Sequence, residues 1–229
     1  MNGLNVLLYL CIGLAPLVPA CIWFRVKKYG VLRFLLSAAA GILTVFAAAL
    51  VQGLIPVELP GLNRINAVLF GVFVRVSLIE EASRAVILFA LLRFIPYSRI
   101  YPEKDPIASD KNPALFFGAP SGLAAGLGFA AGESVIYGLA NPGAVLLRVF
   151  TAAPLHAACG ARIGSAAGKV LTQPFYAAIL FMSAVLIHGV YNFSIQNPAT
   201  PAFLPVLIAI AAFGSSLHNI YWRSHADIY

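Results

Sequence analysis

The chain has 229 residues, of which 61% are apolar and only 10% charged, with a mean hydropathy of +0.89; a soluble domain is excluded. The net charge of +7 does not point to nucleic acid, because the cations fall in alternate loops between apolar runs. The three cysteines all lie inside apolar runs with no CxxC spacing, so neither a disulfide framework nor a cysteine metal site is expected.

The apolar runs predict an all-α polytopic bundle of about seven transmembrane helices, over 3–24, 31–54, 66–93, 114–139, 145–167, 173–195 and 202–221. The opening run is followed, not preceded, by Arg25, Lys27 and Lys28, so it reads as a retained first helix instead of a signal peptide. Pro56, Pro60, Pro142, Pro174, Pro198 and Pro201 punctuate the connections, and the longest loop, 94–113, carries Pro96, Pro102 and Pro106. Residues 1–229 are expected to form a single integral membrane domain.

The basic residues orient this bundle. Arg25, Lys27, Lys28 and Arg33 surround the first loop; Arg93, Arg99, Lys104 and Lys111 the third; Arg162 and Lys169 the fifth; Arg223 follows the last run. All fall on one side, and Arg64 alone falls on the other. The N-terminus is therefore expected outside and the C-terminus in the cytoplasm, with the protein multi-pass in the inner (plasma) membrane. Arg148, at the start of the fifth run, is expected to snorkel to the interface. Gly122, Gly126, Gly128 and Gly132, and then Gly160, Gly164 and Gly168, give small-residue spacings that place the fourth and fifth helices close together at the centre.

Inside these runs sit polar residues that are costly in hydrocarbon and need a reason to be there. Glu80 and Glu81 lie in the third, with Arg84 one turn on; the i, i+4 spacing lets Glu80 pair with Arg84 while Glu81 points elsewhere. Glu133 lies in the fourth run among small residues. His156 is near the centre of the fifth. His188 and Asn192, again i and i+4, project from one face of the sixth, and suit two donors aimed at one developing oxyanion. Glu80, Glu133, His156 and His188 are placed to meet in one cavity between the bilayer centre and the outer leaflet.

Three short motifs follow in order: Glu80-Glu81-Ala-Ser-Arg84, Phe129-x-x-x-Glu133 and His188-x-x-x-Asn192. Together they resemble the PrsW-type glutamic intramembrane proteases, of the clan that includes the CAAX prenyl endopeptidases and bacteriocin-processing proteins. Arg84 stands where that family has Lys, and Asn192 where it has Asp, as in the CAAX branch; His156 could supply the second histidine of that branch. The resemblance implies an intramembrane peptidase with a catalytic four-helix core over 66–195. Glu80 would activate the water, Glu81 and Arg84 would tune it, and Glu133 would share the water or handle the leaving amine. His188 and Asn192 would stabilise the oxyanion, with His156 auxiliary.

The expected substrate is a membrane protein or lipid-anchored peptide, met in the lipid bilayer, with no nucleic acid involved. No metal or other cofactor is expected; zinc on the histidines and glutamates is the lesser option, since the chain has no HExxH helix. A non-catalytic membrane scaffold is the alternative, in which the same polar residues would only hold helices together.

Overall fold

In the computed structural model the described residues are 3–57, 61–94 and 113–225, and all their regular structure is helical. Pro96, Arg99, Pro102, Lys104, Pro106 and Lys111 of the longest loop lie outside the described residues.

The first apolar run forms two helices, α1 (Gly3–Leu14) and α2 (Leu17–Val26), where one was expected. Pro16 has no N–H, and its ring clashes with the carbonyl four residues back, so the ladder stops at Leu14. Residues Leu7–Val26 are still long and apolar enough to cross a membrane together. The second run is α3 (Val31–Gly53). The third is a continuous helical run in three parts: α4 (Arg64–Leu69), a π-helical stretch (Phe70–Leu78) and α5 (Ile79–Phe94). The fourth is α6 (Pro113–Ala140).

The fifth run is bent where a straight helix was expected: α7 (Pro142–Phe150) and α8 (Ala152–Lys169) meet at 44°. Pro154 is the cause, since its ring excludes a helical carbonyl at Phe150 and it donates no hydrogen bond. The Thr151 hydroxyl donates to the Leu147 carbonyl (2.9 Å) and accepts from Tyr191 Oη (3.0 Å), which fixes the bend. The bundle closes with α9 (Pro174–Gln196) and α10 (Leu204–His225). By length and composition, five described segments can cross a membrane, or six if bent α7–α8 is one span. The run 64–94 is long enough as well, but carries Arg75, Glu80, Glu81 and Arg84 along its length.

The hub is α8, buried along almost its whole length and packed on α5, α6, α9 and α10. It is built of Ala and Gly because α6 lies against it backbone to backbone. A Cβ added at Gly118, Gly122 or Gly126 of α6 would strike the carbonyl oxygens of Gly164, Gly160 and His156. Those pairings run antiparallel. On the other face of α6, Gly128 meets Ala38 of α3, and Gly41 of α3 meets Ala125. Lipid offers no hydrophobic drive for helix association, so such close approach, with its dispersion contacts, is what holds the bundle.

These antiparallel contacts bring Lys27, Lys28, Arg33 and Lys169 to one end of the bundle. Arg33 sits over the Phe117 ring near the start of α6 (4.1 Å), and α6 begins beside the end of α8 that carries Lys169. Arg64 opens the helical run that returns from the opposite end.

Candidate active site

The π-helical stretch delivers Glu80 and Glu81 to the bundle interior. Its wide turns carry Phe73 against Gly189 of α9, where a Cβ would collide with the ring. They also aim Arg75 at the end of α3, where Nε and Nη2 donate to the carbonyls of Ile55 and Gln52 (both 3.3 Å). The Gln52 carbonyl also accepts from Ile55 N–H (3.2 Å), so Arg75 adds a side-chain donor at this helix end.

Glu80 and Glu81 part company from there. Arg84 pairs with Glu81, not with Glu80 as the i, i+4 spacing suggested, and both partners are fully buried. The guanidinium is drawn toward α6 and α8: it lies 4.5 Å over the Phe129 ring and reaches His156 Nδ1 (3.4 Å). Glu80 faces α3 instead, where Gln52 Nε2 donates to its Oε1 (3.2 Å). Its Oε2 is buried with no hydrogen-bond partner and lies 3.7 Å from His188 Nε2. An orphaned carboxylate oxygen is expensive in such a setting unless a water or ion meets it.

His188 bonds through Nδ1 to Glu81 Oε1 (2.8 Å). A carboxylate only accepts, so Nδ1 carries a proton, and Nε2 is the nitrogen that faces Glu80. The His156 ring lies edge-on to His188, with centroids 4.9 Å apart. Its Nε2 reaches Glu133 Oε2 at 3.0 Å. Arg148 Nη2 donates to the same oxygen at 2.7 Å, with its guanidinium 4.2 Å over the Tyr137 ring. Arg148 therefore does not snorkel away; the bend at Thr151 turns α7 so that it joins the cluster. Glu133 and Arg148 remain 15% and 18% exposed, whereas Glu81 and Arg84 are wholly enclosed, so the cluster meets its surroundings on the Glu133 side.

The fold thus brings together Glu80, Glu81, Arg84, Glu133, His156 and His188. Asn192 stands one turn beyond His188 on α9, half-buried, and no hydrogen bond joins it to the cluster among the described residues. Sequence reasoning missed Gln52, which lies outside the expected 66–195 core. Its only signal was a lone amide in the last turn of an apolar helix. Phe129 carries more than its place in a motif, since its ring lies against both Arg84 and His156 (4.9 Å between ring centroids).

Glu80, His156 and His188 each present one donor atom, all within 4.8 Å of one another and all buried. Two imidazole nitrogens and a carboxylate are a common donor set for a catalytic zinc with an open position. The Glu81 carboxylate behind His188 is the usual outer partner of a ligating histidine. With Glu80 Oε2 unpartnered, these residues fit a divalent metal, which the sequence had left as the lesser option.

Neither the curated proteins nor the solved structures yield a match to this chain. A family profile does match, over residues 29–215, and its description is PrsW family intramembrane metalloprotease. That span takes in α3, both sides of the glycine-packed core and every residue of the cluster, and the chain belongs to the PrsW family of intramembrane proteases.

Proposed function

We propose that the chain hydrolyses peptide bonds of membrane proteins or lipid-anchored peptides, with water activated at Glu80. The observation that carries this reading is the buried Glu80 Oε2, which makes no hydrogen bond and lies 3.7 Å from His188 Nε2. Glu81–Arg84 and Glu133–Arg148 are paired as a scaffold would need; Glu80 is not, and a purely structural carboxylate has no use for an idle oxygen.

Each residue then has a task. Gln52 holds Glu80 Oε1 and leaves Oε2 free to take a proton from water. Glu81 fixes the tautomer and orientation of His188, and Arg84 holds Glu81 in place. Glu133, the most accessible carboxylate of the cluster, passes protons between the interior and the leaving amine, held by Arg148 and His156. Asn192, with no partner in the cluster, donates to the substrate carbonyl. In a metal-loaded form of the site, Glu80 would instead join His156 and His188 in holding a divalent metal, which when bound supplies an acidified water and polarises the scissile carbonyl.

The test is cleavage of a labelled transmembrane peptide by the purified protein in bilayers, before and after chelation, with bound metal quantified by elemental analysis. Activity lost on chelation and restored by zinc supports the metal-loaded form of the site. Full activity without metal supports Glu80 acting alone. Absence of cleavage by the metal-loaded wild-type chain, across a panel of transmembrane and lipid-anchored peptides, would leave the scaffold reading standing.

A further inference from the structure

Arg162 is a buried-edge cation on α8 that the cluster around Glu80 does not use. Its Nη1 donates to Ser216 Oγ (2.6 Å) and to the carbonyls of Ala158 (3.1 Å) and Ala212 (3.5 Å), and its Nη2 to Ser215 Oγ (2.7 Å). All four acceptors are neutral. Among the described residues no carboxylate pairs with it, although a cation inside a membrane bundle normally finds a counter-charge.

These bonds occupy the Nη1 edge and one Nη2 hydrogen. Nε–H and the second Nη2 hydrogen have no acceptor among the described residues. Nε–H and the Nη2 hydrogen beside it make up the side-on fork of a guanidinium, the edge that grips phosphate and carboxylate in a bidentate way. The bonds to α8 and α10 hold that fork rigid, so little side-chain entropy remains to be lost when an anion arrives.

A recess of about 20 Å³ lies beside it, lined by Arg162, Ser165, Ser216 and Asn219 with Ala119, Ala161, Leu180 and Ile220. It has room for one water-sized group, such as a single oxygen of a phosphate that lies across its mouth. Arg162 stands two turns before Lys169, about 10 Å along the helix, at the end where Lys27, Lys28 and Arg33 also gather. That distance is within reach of the headgroup layer for a snorkelling arginine.

We infer that Arg162, with Ser165 and Asn219, forms a phosphate-oxyanion site between α8 and α10, filled by the headgroup of an anionic phospholipid. The anion supplies a counter-charge that no described residue gives, and it joins the hub helix to the last helix of the bundle.

The experiment measures adducts on the full-length protein by native mass spectrometry. Three probes are titrated: short-chain phosphatidylglycerol, phosphatidylcholine of the same chain length, and inorganic phosphate. Wild type is expected to bind phosphatidylglycerol about tenfold or more tightly than Arg162→Lys, which keeps the charge and loses the fork. Asn219→Leu fills the recess without touching any of the bonds Arg162 makes, and should weaken binding equally; it keeps the test decisive if Arg162 variants fail to fold. Displacement of phosphatidylglycerol by inorganic phosphate at matched concentration supports the oxyanion site with the free anion as a competent source. The inference is overturned if phosphatidylglycerol binds Asn219→Leu and Arg162→Lys as it binds wild type, or binds wild type no better than phosphatidylcholine.

Discussion

Glu80 and Glu81 are adjacent in the chain and differ completely in what they touch. Glu81 has an arginine and a histidine on it; Glu80 has one amide on one oxygen, and its other oxygen makes no hydrogen bond, with His188 Nε2 3.7 Å away. Glu80→Gln keeps the volume and removes the basic oxygen. It is expected to lower turnover of a transmembrane peptide by about 100-fold or more while leaving the thermal unfolding midpoint near wild type. Asn192→Ala is expected to cost about 10²–10³ in rate, the scale of one lost oxyanion donor, with the same control for folding. Gln52→Leu should lower kcat by roughly 10–100-fold with KM unchanged, because it frees Glu80 to turn without altering any surface the substrate meets. Equal kcat in wild type and Gln52→Leu would mean that the amide is only filler. The sequence made Glu80, Glu81, Glu133 and His188 visible because charge inside an apolar run stands out. It could not show which glutamate takes the arginine. That choice is made by Phe129 and His156, which lie on other helices. Arg148 was misread for the same reason: a cation near a helix start looks interfacial until a bend elsewhere turns it inward.

At the scale of helices, the α6–α8 contact depends on the absence of side chains. Gly122→Val places a branched side chain against the Gly160 carbonyl, and the backbones must separate to admit it. The expected cost is about 1–3 kcal/mol or more, seen as a lower unfolding midpoint in a fixed detergent, with activity falling in parallel because His156 rides on α8. A midpoint unchanged from wild type would show that the two helices are not held by this approach. The glycine spacings were legible directly, since steps of four residues report a helix face. So, in principle, were the breaks at Pro16 and Pro154. The π-helical stretch was not legible: 70–78 reads as an ordinary apolar helix, and its wider turns answer to Gly189 and to the end of α3, both distant in the chain.

For the whole molecule, hydropathy alone gave the class, because a bilayer demands long apolar helices and little else. The antiparallel glycine contacts bring Lys27, Lys28, Arg33 and Lys169 to one end, and we propose that this end faces the cytoplasm, with the N-terminus outside. A reactive tag placed after Tyr229 should be labelled only after the cells are permeabilised. Labelling in intact cells would reverse the orientation and would place the Glu133 side of the cluster in the inner half of the bilayer.

The π-helical stretch makes the chain intolerant of a change in length at one place. Its turns hold more residues than those of an α-helix, so removing a single residue between 70 and 78 would let the run relax to ordinary α-helix. The flanking helices would keep nearly their mutual orientation, because the tighter α turns make up for the lost residue, but the side chains inside the stretch would take new directions. Phe73 would leave the notch at Gly189, and Arg75 would swing off the end of α3, releasing Gln52 and with it Glu80. A one-residue deletion there should abolish activity, whereas a substitution such as Val74→Ala at an exposed position of the same stretch should be silent. Homologous chains aligned through this stretch should therefore vary in residue type far more freely than in residue number.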